Sequence, residues 1–96
     1  MTRDEILALL SRHKPELGQR FGVRGLALFG SRAREQAHAG SDIDLLVEFD
    51  GHATSARYFG LQFFLEDLLG MPVDLVTRQA LRSQLRPFIE REAIDV

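Results

Sequence analysis

An α+β chain of two layers, helices against a small sheet, is predicted by three observations. Apolar residues recur at helical spacing near the N-terminus and again over residues 55–69. Residues 42–49 alternate, with Ile43, Leu45, Val47 and Phe49 on one face and Asp42, Asp44, Leu46 and Glu48 on the other. Two short apolar runs, Val23–Phe29 and Val73–Val76, are bounded by Gly or Pro. The order is helix, strand, short helix, strand, helix, strand. Ninety-six residues make one domain, 1–96, with room for one hydrophobic core.

The elements follow in turn. Thr2 and Glu5 form a capping-box pattern ahead of Ile6, Leu9 and Leu10, so a helix is expected over residues 3–12. Pro15 and Gly18 then break the pattern into a connecting loop. Val23–Phe29 reads as a strand weakened by Gly25, and Gly30-Ser31 punctuates its end. Residues 31–37 suit a short helix, and residues 38–41 a turn. Asp42–Phe49 is the clearest strand, closed by Asp50-Gly51. Ser55–Leu69 is the longest helix, with Gly70 as its C-terminal cap. Its core face carries Tyr58, Leu61, Phe64, Leu65, Leu68 and Leu69, while Ala56, Phe59 and Phe63 fall opposite. Val73–Val76 follows Pro72 as a short strand, with Asp74 turned away from Val73 and Leu75. Thr77 caps a last helical region whose apolar stripe is Leu81, Leu85, Phe88 and Ile89, kinked or divided at Pro87. Ala93–Val96 suits an edge strand.

Composition narrows the function classes. Hydrophobic residues make 45% and charged residues 27%, the proportions of a globular chain rather than a disordered one. The net charge of −2 does not suggest stable, direct nucleic-acid binding, which favours clearly basic chains. Eleven of the 12 basic residues are Arg, suited to phosphate, although a GC-rich genome produces the same bias. With no cysteine, disulfides and thiolate metal sites are excluded. No apolar run approaches the ~20 residues of a membrane span, and the acidic N-terminus has no signal-peptide core. A cytoplasmic location is the default expectation.

The candidate chemistry sits on carboxylates. Asp42 and Asp44, at i and i+2 of a strand, project from one face. Unpaired, they repel, and one tends to stay protonated. A divalent cation relieves the repulsion, and oxygen-only ligands favour Mg²⁺. Upstream, Gly30 lets a phosphate approach the backbone, and Ser31 offers a hydroxyl and amides at a helix start. Asp74, if its strand lies beside 42–49, adds a third carboxylate, enough for one or two metal ions and in-line displacement. Each feature alone has an ordinary alternative: a strand-end acid, a strand-to-helix turn, a solvated edge Asp. His13, His38 and His52 are scattered and fit solvated positions better than ligands. There is no Gly-x-x-x-x-Gly-Lys-Ser/Thr and no Gly-x-Gly-x-x-Gly.

Taken together, Gly30-Ser31-Arg32-Ala33-Arg34 and Ser41-Asp42-Ile43-Asp44-Leu45-Leu46-Val47 resemble the signature of the DNA polymerase β-like nucleotidyltransferase superfamily. The chain is most similar to the minimal nucleotidyltransferase (MNT, MntA-like) family, whose Gly-Ser and Asp-x-Asp stand ten residues apart, here residues 32–41. The resemblance implies a nucleotidyltransferase fold, with a small mixed sheet of three to four strands backed by helices. It implies Mg²⁺ on Asp42, Asp44 and Asp74 as the catalytic and metal residues, in one or two ions. It implies a nucleoside triphosphate held by Gly30 and Ser31, with Arg32 and Arg34 near its phosphates. One departure is Glu35, where many relatives carry Gly.

The same resemblance implies transfer of AMP from ATP to a hydroxyl. Larger relatives add a domain for the acceptor; MNT proteins are commonly antitoxins paired with HEPN-domain RNase toxins, and some modify a toxin tyrosine. A protein adenylyltransferase acting as an antitoxin is therefore expected, with the HEPN toxin as partner. Phe59 and Phe63, off the core side, suit that contact or a homo-oligomer. The alternatives are an antitoxin that works by binding alone and a small-molecule nucleotidyltransferase.

Overall fold

The computed structural model describes residues 1–37 and 40–96. His38 and Ala39, and with them half of the turn expected at 38–41, lie outside the described residues. The chain runs α1 (Arg3–Phe21), β1 (Val23–Phe29), α2 (Gly30–Ala33), β2 (Ile43–Phe49), α3 (Ser55–Leu69), β3 (Val73–Thr77), α4 (Arg86–Glu92) and β4 (Ile94–Asp95). The strands form one mixed sheet in the order β3-β2-β1-β4.

The first helix opens with the expected capping box and is longer than its sequence pattern suggests. Thr2 Oγ1 accepts from the Glu5 amide at 3.1 Å, and Glu5 Oε1 accepts from the Thr2 amide at 2.9 Å. The helix does not stop before Pro15 but runs through it to Phe21. A proline there removes the bond to the carbonyl four residues back, that of Ser11. Ser11 and Pro15 both lie on the exposed side, so water can take that carbonyl. Leu10 and Leu17, fully buried on either side of the proline, anchor both halves. Each contributes about 1.5–3 kcal/mol by burial. The true stop is Gly22 at φ 71°, whose N–H reaches the Gly18 and Leu17 carbonyls.

Strand alternation divides the core in two. Ile43, Leu45, Val47 and Phe49 pack with Leu26 and Leu28 against Ile6, Leu10 and Leu17 of α1 and Leu61, Leu65 and Leu69 of α3. On the opposite face Ala27, Phe29 and Leu46 pack against Leu81, with Ile89 and Ala93 of the C-terminal segment beside them. The helix α3 matches its expected bounds. Thr54 caps its start and Gly70, at φ 67°, ends it. It also serves as the crossover that parallel β2 and β3 require. Fifteen residues of helix reach ~22 Å, close to the ~23 Å of a seven-residue strand.

Since β3 is an edge strand, its outer backbone groups need partners. Three α3 side chains one turn apart supply them. The Tyr58 hydroxyl donates to the Leu75 carbonyl, Gln62 Nε2 donates to the Val73 carbonyl at 3.2 Å, and Glu66 Oε2 accepts the Val73 amide at 3.0 Å. Phe59 and Phe63 point outward, 51% and 63% exposed.

The C-terminal region departs most from its apolar pattern. Thr77 Oγ1 caps a turn, accepting from Ala80 N at 3.2 Å, rather than a helix. The helix begins at Arg86 with Pro87 in its first turn, where the missing N–H costs nothing. Leu81 is buried and Ile89 half-buried, while Leu85 and Phe88 are 50% and 66% exposed. The stripe fails because the turn at 83–85 separates Leu81 from the helix and resets its phase. The last strand pairs antiparallel with β1, Ala27 opposite Asp95 and Leu28 opposite Ile94.

Candidate active site

Backbone register assembles the carboxylates. In the parallel β2–β3 pair Ile43 lies opposite Val73, so Asp44 lies opposite Asp74. Adjacent strands stand ~4.8 Å apart, and side chains at matching positions share a face. Both aspartates therefore leave the sheet on the side away from α1 and α3, next to Phe29, the partner of Asp44 in β1. Asp42 is exposed just ahead of β2. Among the described residues no group of three or more His, Cys, Asp or Glu side chains is already gathered for a metal ion. The close pair is Asp44 with Asp74, and Asp42 acts on it through charge.

The Asp44 carboxyl is pushed up from its ordinary value of 3.8 to about 6. Burial is the leading cause, followed by the charge of Asp74, a hydrogen bond with Asp74, and the charge of Asp42. Arg34 opposes the shift, which places its guanidinium within electrostatic reach. Two such carboxylates repel when both are ionised, so the pair either retains a proton or takes up a hard dication in its place. The donors are carboxylate oxygens alone, the set that suits Mg²⁺. Asp44 and Asp74, with Asp42 at the rim, thus fit that ion.

Gly30 is required by geometry. Its φ of 73° is left-handed, and a Cβ there would fall 2.1 Å from Asp44 Oδ2. The Gly-Ser turn is therefore pressed directly against Asp44. Ser31 follows in α2, which is shorter than the expected 31–37 helix and closes with a turn at residues 34 and 35. Glu35 adopts φ 58°, a conformation that suits glycine. This accounts for the departure noted in the sequence: the backbone at 35 has the shape that a glycine would take without strain.

The two arginines of the motif have different surroundings. Arg32 reaches back, its Nη2 donating to the Ser41 carbonyl at 2.9 Å and lying 3.4 Å from Met71 Sδ. Its Nε is buried with no hydrogen-bond partner among the described residues. Arg32 thereby ties the start of the motif to the residue before Asp42. Arg34 donates from Nη1 to Glu92 Oε2 at 2.8 Å and from Nε to Gln36 at 3.0 Å. Glu92 was not among the candidate residues, yet its Oε1 also accepts the Gly30 amide at 3.3 Å. Tyr58 borders the site from α3. Its hydroxyl is raised above the usual phenol value, chiefly by burial and also by the charge of Asp74. His13 lies in α1 with its ring against Phe64, and His52 is exposed.

Comparison with known proteins points one way. The sequence profile of the nucleotidyltransferase domain matches residues 10–96. Protein adenylyltransferase MntA of Thermococcus cleftensis is 41% identical over 96 residues, spanning 100% of this chain and 97% of that protein. A Methanocaldococcus jannaschii protein, provisionally named a protein adenylyltransferase, is 40% identical over 90 residues, 94% of this chain and 89% of its own length. A solved structure described as a minimal nucleotidyltransferase superposes with a TM-score of 0.73 at 38% identity, covering 98% of this chain and 88% of that one. A crystal structure of a toxin–antitoxin with AMP-PNP has a TM-score of 0.70 at 23% identity, covering 99% and 72%; at that identity the likeness is one of fold.

Proposed function

The chain belongs to the nucleotidyltransferase-domain family, in its minimal MntA-like branch, and from that premise we propose that it transfers AMP from ATP to a hydroxyl of a partner protein. The observation that carries this reading is the Asp44–Asp74 pair, set in register on adjacent strands and closed by a turn where only Gly30 fits. The acceptor we propose is a tyrosine on a HEPN-type RNase toxin, with the chain acting as its antitoxin. Support comes from MntA, named a protein adenylyltransferase, and from the solved complex of a Shewanella oneidensis HEPN toxin, tri-AMPylated, with its MNT antitoxin.

In this reading residues 1–96 act as one catalytic unit. Asp42, Asp44 and Asp74 hold one or two Mg²⁺ ions, which when bound neutralise and orient the triphosphate. Gly30 and Ser31 receive the phosphates, the first by leaving room and the second by its hydroxyl and amide. Arg34 adds positive charge beside them, and Arg32 fixes the turn from beneath. The residues need only align donor and acceptor and offset developing charge, since phosphoryl-type transfer asks for little else. In this reading the acceptor oxygen attacks the α-phosphorus of ATP, pyrophosphate leaves, and Asp74, the carboxylate beside Tyr58 at the edge of the site, takes the hydroxyl proton.

The test uses ATP labelled on its α-phosphate, Mg²⁺ and a HEPN-domain partner. Label should pass to the partner with the native chain and be lost with Asp42→Asn and Asp44→Asn. Full neutralisation of the partner by the double variant, without label, would replace catalysis with inhibition by binding. Label on a small hydroxylated compound and none on protein would favour a small-molecule transferase.

A further inference from the structure

Outside the carboxylate pair, the most consequential contact in the molecule comes from its far end. Glu92 is the last residue of α4, and its carboxylate bridges both ends of the Gly-Ser turn: Oε1 to the Gly30 amide at 3.3 Å and Oε2 to Arg34 Nη1 at 2.8 Å. Register explains how it arrives. In the antiparallel β1–β4 pair, Ala27 faces Asp95 and Leu28 faces Ile94. The Val96 amide bonds the Leu26 carbonyl at 2.9 Å in the same register. Continued by two residues, that register sets Glu92 opposite Gly30. Ile89 and Ala93 pack beside Phe29 and hold α4 at this height.

We propose that Glu92 is a positioning residue for nucleotide binding. It fixes Arg34 beside the phosphate position and holds the Gly30 turn against Asp44. This rests on the reading of Gly30, Ser31 and Arg34 as phosphate-binding residues. Two features favour positioning over a surface ion pair without effect. The carboxylate uses both oxygens on two different groups of one turn, which fixes orientation as well as distance. Arg34, the group it holds, is also the cation felt at Asp44. Without Glu92 the Arg34 side chain keeps only Gln36 as a side-chain partner among the described residues. Its charge is then spread over many rotamers, and binding a triphosphate has to order it.

Titration calorimetry of the full chain with Mg²⁺ and AMP-PNP tests this. Glu92→Ala should weaken binding roughly tenfold, the scale of losing an outer-shell partner. Glu92→Gln keeps an acceptor for the Gly30 amide but turns a donor NH2 toward Arg34, and should recover at most about half of that loss on a logarithmic scale. Arg34→Ala weakens binding on its own, and adding Glu92→Ala to it should cost less than about twofold more. Thermal melts in the same buffer separate this from unfolding, because Glu92→Gln should melt within a few degrees of the native chain. Unchanged affinity in Glu92→Ala, or full additivity with Arg34→Ala, would overturn the positioning role. Tighter binding in Glu92→Ala would overturn it in the other direction, marking Glu92 as a competitor of phosphate. If the native chain binds no nucleotide, both this inference and the proposed function fall. If it binds and the Glu92 variants bind equally well, this inference falls and the proposed function stands alone.

Discussion

Glu35 occupies a left-handed conformation, φ 58°, immediately after the Arg34 that faces the site. For a residue with a side chain this costs about 1–2 kcal/mol, while glycine brings an entropy penalty of about 0.5–1 kcal/mol. The Arg3–Glu35 ion pair, 3.5 Å and exposed, offsets little. Glu35→Gly should therefore stabilise the chain by about 0.5–1 kcal/mol, a rise of roughly 3–6 °C in Tm. A thermal melt checks this, and a lower Tm would mean that Glu35 makes a contact worth more than its strain. Asp44 has the opposite character, a residue whose cost is electrostatic. Its folded pKa of about 6 lies above the ordinary 3.8. The folded state therefore keeps a proton that the unfolded chain has lost between those values. The stabilising contribution is whole below pH 3.8 and is lost as pH rises to about 6. Without metal, Tm should fall across that window, and Asp44→Asn should remove the fall. Glu5, lowered by its capping hydrogen bonds to Thr2, acts with the opposite sign, so the comparison with Asp44→Asn isolates the site. At this scale the carboxylates and Gly30 were legible because spacing and strand alternation are local. Glu92 was not: its role depends on a register set by strands far apart in sequence.

At the scale of elements, the patterns that repeat locally were readable and those decided by tertiary contacts were not. The α3 helix showed its core face, its outward phenylalanines and its Gly70 stop directly in the sequence. The α1 helix misled because a proline in a helical pattern ordinarily ends it. Here the buried Leu17, two residues past the proline, holds the continuation in place. Proline is about 3 kcal/mol less favourable than alanine inside a helix, and about 1 kcal/mol returns through the stiffer unfolded chain. Pro15→Ala should thus stabilise by about 2 kcal/mol, read as a higher urea midpoint at unchanged m-value. A lower midpoint would show that the pyrrolidine ring itself packs in the folded state. The C-terminal helix was mislocated for a related reason. Leu81, Leu85, Phe88 and Ile89 look like a stripe, yet a turn lies between the first and the rest.

For the whole molecule, the class of fold and one pairing could be anticipated, but the sheet order could not. Nothing local says that β1 rather than β3 receives β4. The exposed aromatics belong to this scale, because the core does not cover them. Phe59 and Phe63 sit one turn apart on α3, and neither joins the core. No helix among the described residues is long and apolar enough to cross a membrane. Replacing both with Ser should leave stability within about 1 kcal/mol, as surface changes do. It should abolish association with the partner, or with a second copy, in light scattering after size exclusion. Retained association would move the interface elsewhere, to Phe88 and Leu85 of α4. The β1–β4 register also imposes an order in time. During synthesis at about 5–20 residues per second, Gly30 emerges several seconds before Glu92, and β1 can pair with β2 in the interval. The turn at Gly30 is therefore built early but acquires its final tether only when the last strand has emerged. A released chain ending before residue 92 should keep the Asp44–Asp74 register and lose the Glu92 tether on Arg34.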